Sequence, residues 1–274
     1  MTDTPSSLPS SGDEHKLPDP PKAPVFGIQI DCVTMTQAVT RIRGWFADAA
    51  PPCRCVVTPN ADHIVQLATN RQFQDAYARA SLVVADGWPV VAASRLLGFP
   101  VPERVAGSDL VPALFAAGRE GGPLRVFLLG AAPGVGARAA SQIEKCWPKV
   151  FLCGHYSPPL GFESDTDENA VVLRRINEAK PHLLVVGLSA PKQEVWLAQH
   201  ADVLAANAAI GAGGTIDFLA GEQRRAPPWV RRIGMEWLFR ALTAPRRMGR
   251  RYLHDAWVFP RLFLREFFRS RKSR

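Results

Sequence analysis

The sequence predicts an α/β fold: a largely parallel, Rossmann-like sheet flanked by helices, carrying a basic amphipathic helical appendage at its C-terminus. Three observations predict it. Short β-branched apolar runs recur along residues 25–223 with helically spaced stretches between them, the pattern of βαβ units around a parallel sheet. Of 274 residues 47% are apolar and 21% charged, which is enough to bury a substantial core and too apolar for wholesale disorder. The charge is divided unevenly: residues 1–223 hold 18 basic and 22 acidic side chains, net −4, whereas residues 224–274 hold 15 and 3, net +12. The last segment is therefore a different physical object from the body. A basic segment of this kind seeks a polyanion, whether nucleic acid, a phospholipid surface or a phosphorylated substrate.

Taken in order, residues 1–24 contain six prolines among Ser and acidic residues and are expected to form a disordered lead, because they bury too little surface to offset their ordering entropy. Residues 25–223 form the α/β body. Its expected strands are Val25–Ile30, Cys55–Thr58, Leu82–Ala85, Leu124–Leu129, Val150–Cys153, Leu183–Val186 and Val203–Ile210. Between several of them, sets such as Ile64, Leu67, Ala68 and Tyr77, or Val171, Val172, Arg175 and Ile176, recur at near-helical spacing. Cys32, Cys53, Cys55, Cys146 and Cys153 form no CxxC pair and no zinc-ligand spacing, which fits a reducing compartment without a structural metal. The start lacks the basic and apolar regions of a signal peptide, and no apolar run reaches about 18 residues, so any membrane contact is expected to be peripheral.

In parallel α/β sheets ligands collect beyond the carboxyl ends of the strands, so the polar residues that follow each apolar run are the first candidates. In VVTPNADHIVQLA, Thr58 and Asn60 flank a proline that stops a strand; Asn60 either caps the next helix alone or leaves backbone N–H groups free for an anion. Asp86 in LVVADGWPVV ends an apolar strand before a glycine, which suits either a buried general base or a simple Asp-Gly turn. The loop GAAPGVGARAA at Gly130–Ala140 lacks GxGxxG spacing and an acidic ribose partner, so a plain strand-to-helix turn is the better account and an NAD-dependent oxidoreductase is disfavoured. Ser189, Lys192, Gln193 and Glu194 stand at another junction, where Lys or Gln can grip phosphate or sugar hydroxyls, and Gly213 and Gly214 allow close backbone approach to a ligand. The sole Asp-x-Asp, Asp165–Asp167, lies in the acidic stretch GFESDTDENA and reads as a solvated loop rather than a metal pair.

Residues 224–274 interleave Trp229, Val230, Ile233, Trp237 and Leu238, then Tyr252, Trp257, Phe259, Phe263, Phe267 and Phe268, with arginines. Aromatic rings at headgroup level with cations on anionic lipid are what an interfacial helix needs. A helical hairpin packed on the body would account for part of the same apolar face. A nucleotide- or nucleic-acid-binding module with a basic arm is the alternative function, although such an arm needs fewer large apolar residues.

Several ordered motifs carry a more specific signal: TPNADHIVQL, VVADGWPVV, the run from Pro102 to Leu110, APKQEVW, and GAGGTIDFLAGEQRRAPPWVRRIGMEWLFRALTAPRRMGRRY. Together, over about residues 25–252, they resemble the WecG/TagA/CpsF family, glycosyltransferase family 26. The resemblance implies transfer of a hexose or N-acetylhexosamine-type sugar from a UDP-sugar to a polyprenyl-diphosphate-linked acceptor, inverting and without a catalytic metal or cofactor, in bacterial cell-surface polysaccharide synthesis. It implies a cytoplasmic enzyme, peripheral on the inner membrane face, with no nucleic-acid partner and with its oligomeric state left open. By motif, the resemblance places the base on Asp86, active-site Thr and Asn on Thr58 and Asn60, and substrate-positioning roles on Arg104 and Gln193. It further implies that the appendage reaches the membrane and closes the site, with diphosphate-binding arginines at Arg240, Arg247 and Arg250. The chain departs from the usual GxGSPKQE at Ser189 and Ala190.

Overall fold

The structure, a computed structural model, describes residues 17–223, 225–227, 230, 239 and 245–272, with the backbone alone at 245–248, 250–252 and 272. The chain enters through an antiparallel hairpin, β1 (Lys22–Val25) and β2 (Ile28–Asp31). The expected single strand Val25–Ile30 is thus two strands, reversed at Phe26 and Gly27, whose φ values of 53° and 76° suit a tight hairpin turn. The first strand begins at Lys22, inside the segment expected to be the lead, because Ala23 and Val25 face the core.

The main sheet has six parallel strands: β3 (Arg54–Val57), β4 (Leu82–Val83), β5 (Leu124–Gly130), β6 (Val150–Tyr156), β7 (Leu183–Gly187) and β8 (Ala208–Gly211), in the order β4-β3-β8-β7-β5-β6. Strands buried on both faces read as continuous apolar runs, which is why LLVV and VFLL were legible as strands. Alternate residues serve opposite faces. On one side Val56, Val126, Leu128, Leu183, Val185 and Ile210 meet α1 (Met35–Trp45), α5 (Gly107–Ala117), α6 (Val135–Cys146) and α9 (Thr215–Leu219). On the other, Val57 and Val83 meet the hairpin with α2 (Ala61–Leu67), α3 (Arg71–Ala78) and α4 (Trp88–Leu96), while Leu129, Leu184, Val186 and Ala209 meet α7 (Thr166–Ala179) and α8 (Lys192–His200). Helices on both faces make the fold doubly wound.

Two expected strands are shorter. Only Leu82 and Val83 are strand in the run to Ala85, although Val84 stays hydrogen-bonded to Val57 and the run stays buried. Val203–Asn207 form no strand, and Asn177 clamps that turn through Val203 O and Ala205 N. Asp31 ties the hairpin to the sheet edge, its Oδ2 accepting from Val83 N at 2.7 Å and its Oδ1 pairing with Lys22.

A last helix, α10 (Pro245–Lys272), packs along α2. Phe259, Leu262, Phe263 and Phe267 turn into the cluster beneath the hairpin, with the Phe259 ring 5.5 Å from that of Phe26. Leu253, Trp257, Leu264 and Phe268 are exposed on the opposite side. The aromatic set expected for one membrane-facing surface is therefore divided between packing and exposure. Among the described residues, no helix is long and apolar enough to cross a membrane.

Candidate functional site

The crevice forms where β3 and β8 lie side by side. The chain leaves β3 through α2 on one face and leaves β8 through α9 on the other, so the exits diverge and open a gap at the sheet's carboxyl edge. Thr58, from the first exit, is buried, and its hydroxyl faces Gly211 O at 3.5 Å across the gap. Asn60 caps α2, its Oδ1 accepting from His63 N at 3.1 Å, so the helix-capping role is real. The β4 exit folds against this turn, with Asp86 N donating to Pro59 O at 3.0 Å. A Cβ on Gly87 would come within 3.2 Å of Asn60, so that approach favours glycine.

Asp86 is part-buried, between the buried base and the simple Asp-Gly turn that the sequence left open. It lies just past the strand tip with its side chain 28% exposed, and its Oδ1 accepts from Arg104 Nη1 at 3.4 Å. The carboxylate is partly open to solvent and faces a guanidinium. Arg104 also donates through Nη2 to Asp109 Oδ2 at 2.8 Å, and Asp109 Oδ1 accepts from Arg225 Nη2 at 2.7 Å. Arg225 further holds Ser108 through its carbonyl and its hydroxyl. An unbroken line of contacts thus runs from Asp86 to the first residues of the appendage.

The β8 exit supplies the floor. Gln193 is buried and accepts from Gly213 N at 3.2 Å, and Gly213 takes a left-handed φ of 51° as the turn enters Gly214 at the start of α9. The fold thereby brings Thr58, Asn60, Asp86, Arg104, Gln193, Gly213 and Gly214 to one sheet edge. Other expected groups go elsewhere. Lys192 pairs with Glu163, Asp165 caps α7, and Ser157 braces the glycine loop through Gly130 O. Arg240 lies outside the described residues; Arg247 and Arg250 lie on α10, with side chains outside them. Among the described residues, no group of three His, Cys, Asp or Glu is set to hold a metal ion.

Asp109, Ser108 and Arg225 were not singled out from sequence, because their importance is a contact between segments more than 100 residues apart. His63 is buried and shares a 2.7 Å hydrogen bond with Tyr77. Glu194 is also buried, and helical spacing with Leu197 and Ala198 was the one signal that pointed it inward.

Fold and site together define a doubly wound α/β protein with polar strand exits gathered at the carboxyl edge of its sheet, the edge where this architecture binds its ligands. The chain belongs to the WecG/TagA/CpsF glycosyl transferase family, whose model matches residues 23–273. It is 32% identical over 229 residues to an N-acetylglucosaminyldiphosphoundecaprenol N-acetyl-beta-D-mannosaminyltransferase of Staphylococcus aureus (strain MRSA252), covering 84% of this chain and 87% of the relative. The like-named protein of Staphylococcus aureus (strain NCTC 8325 / PS 47) is 31% identical over the same shares. The chain is accordingly a glycosyltransferase.

Proposed function

We propose that the chain transfers a hexose or N-acetylhexosamine-type sugar from a UDP-sugar to a polyprenyl-diphosphate-linked acceptor, with inversion and without a metal, in bacterial cell-surface polysaccharide synthesis. The observation that carries this is the partly exposed Asp86 carboxylate beside Arg104 at the sheet edge of a family glycosyltransferase. The relatives' printed names, which join N-acetylmannosamine to a diphosphoundecaprenol-linked sugar, support the lipid acceptor.

In an inverting displacement the acceptor oxygen bonds to the anomeric carbon as the bond to the diphosphate oxygen breaks, and UDP departs with that electron pair. Asp86 takes the hydroxyl proton. Arg104, held by Asp109, steers the reacting groups beside it. Thr58 and Asn60 line the acceptor side, and Gln193 with the Gly213–Gly214 turn holds the donor. Charge developing on the diphosphate is met by guanidinium groups of the appendage, Arg240, Arg247 and Arg250, and by backbone N–H groups.

The exposed stripe of α10 suits docking on an anionic membrane. Leu253, Trp257, Leu264 and Phe268 recur at a spacing that keeps them on one face, and Arg261 stacks on Trp257 at 3.6 Å. On this reading the enzyme works at the inner face of the cell membrane, where its lipid-linked acceptor resides. The test is incubation with a panel of UDP-sugars and synthetic lipid-diphosphate acceptors, reading products by mass. A product heavier than the acceptor by one sugar is expected; no product with any donor, together with thermal stabilisation by NAD or oligonucleotide instead of UDP, overturns the proposal.

A further inference from the structure

Glu194 lies beneath the crevice and is closed off from solvent, its side chain 0% exposed. Its Oε1 accepts from Gln193 Nε2 at 2.7 Å, and its Oε2 is buried with no hydrogen-bond partner among the described residues. The polar groups packed around it come from two further elements: Asp62 and His63 from α2 and Tyr77 from α3. The β8 residues beside it, Ala208–Gly211, bring no ionisable group. His63 Nε2 stands 4.0 Å from Oε1. Burial, then the charges of Glu194, Asp86 and Asp62, hold the Tyr77 phenol well above its usual range, so it stays protonated. His63 Nδ1 shares a 2.7 Å hydrogen bond with that phenol, and in the tautomer in which the phenol donates, the ring proton lies on Nε2, the side facing Glu194.

A carboxyl so placed is costly to bury, and its one satisfied oxygen does a specific task. A carboxamide has a donor end and an acceptor end. Glu194 takes the donor end of Gln193, which leaves Gln193 Oε1 toward Gly213 N at 3.2 Å. The fit is tight, since a Cβ on Gly211 would lie 3.0 Å from Gln193 Nε2 and 3.1 Å from Glu194 Oε1.

We propose that Glu194 is a positioning residue for the sugar-nucleotide site: it fixes the carboxamide of Gln193, and through it the Gly211–Gly213 turn, without touching substrate. This rests on the UDP-sugar function proposed above. A carboxylate accepts more strongly than a neutral carboxyl, so the hold tightens as Glu194 ionises. Burial pushes the carboxyl up to about 7, against the hydrogen bonds from Gln193 and its own backbone, and Asp62 adds to the rise. UDP affinity therefore increases as pH rises through neutrality. Stability moves oppositely: the folded state holds this proton more tightly than the unfolded chain, so the contribution is full below the unfolded value and is lost as pH rises through about 7.

The test uses the full chain and its Glu194→Gln and Glu194→Leu variants, with UDP binding by calorimetry, donor KM and kcat, and thermal stability at about pH 6 and about pH 8. Wild type is expected to bind UDP several-fold more tightly at the higher pH and to lose melting temperature there. Glu194→Gln flattens both trends. Glu194→Leu weakens UDP by about tenfold at both pH values, raising donor KM more than it lowers kcat, while remaining folded because no charge is left buried. Variants that match wild type in UDP affinity and pH trend overturn this proposal alone; a wild-type chain that binds no UDP overturns the donor assignment and this proposal with it.

Discussion

Asp109 divides its two oxygens between two guanidiniums, Arg104 at 2.8 Å and Arg225 at 2.7 Å. Asp109→Asn leaves two cations facing each other with one neutral oxygen between them. All three side chains are partly screened by water, so the expected loss is about 1–2 kcal/mol, read as a lower melting temperature. The same change frees Arg104 from its anchor, and transfer is expected to fall about tenfold or more in a direct rate assay. Asp86 gives a sharper separation. Asp86→Asn keeps the shape at the strand tip but cannot take a proton, so UDP binding measured by calorimetry should persist while turnover drops by about 100-fold to 10,000-fold. Unchanged turnover removes Asp86 from the chemistry. Both residues show where sequence is readable. Asp86 announced itself by following an apolar strand, whereas the value of Asp109 depends on Arg225 arriving from the far end of the chain.

The element that links packing to function is α10. Its inward residues, Phe259, Leu262, Phe263 and Phe267, complete the cluster under the hairpin and α2. Deleting residues 224–274 would strip that cluster as well as any membrane contact, so truncation does not isolate the membrane role. Replacing Leu253, Trp257, Leu264 and Phe268 by Ser does, because all four are exposed. The melting temperature is expected to hold within about 2 °C. Co-sedimentation with anionic vesicles should fall at least about 100-fold, since each large apolar side chain contributes of order 1 kcal/mol or more on burial. Undiminished vesicle binding sinks the membrane role of this stripe. Helical spacing foretold an amphipathic segment here, yet spacing alone could not divide the aromatics, since either face of a helix is a candidate until something packs on it.

At the scale of the molecule, the proposed reaction draws on the division of charge. The body is net −4 and residues 224–274 are net +12, so on the proposed function an anionic diphosphate is expected to be attracted by the C-terminal segment rather than by the body. If guanidiniums and backbone N–H groups meet the leaving-group charge, EDTA leaves the initial rate of transfer unchanged; a loss restored by Mg²⁺ overturns the arginine account. The sequence by itself determined the parallel α/β class, the strand exits that bear Thr58, Asn60, Asp86 and Gln193, and the cationic end. Each of these is written in local period, in a polar residue after an apolar run, or in composition, and needs no knowledge of distant neighbours. Only the tertiary structure decided the hairpin at Phe26 and Gly27, the pairing of Asp86 with Arg104, the Asp109 bridge to Arg225 and the buried seat of Glu194 beside His63. Those depend on strand order, which sets β3 beside β8 and gathers at one edge loops separated by most of the chain, and strand order is fixed by packing on both faces rather than by any local pattern.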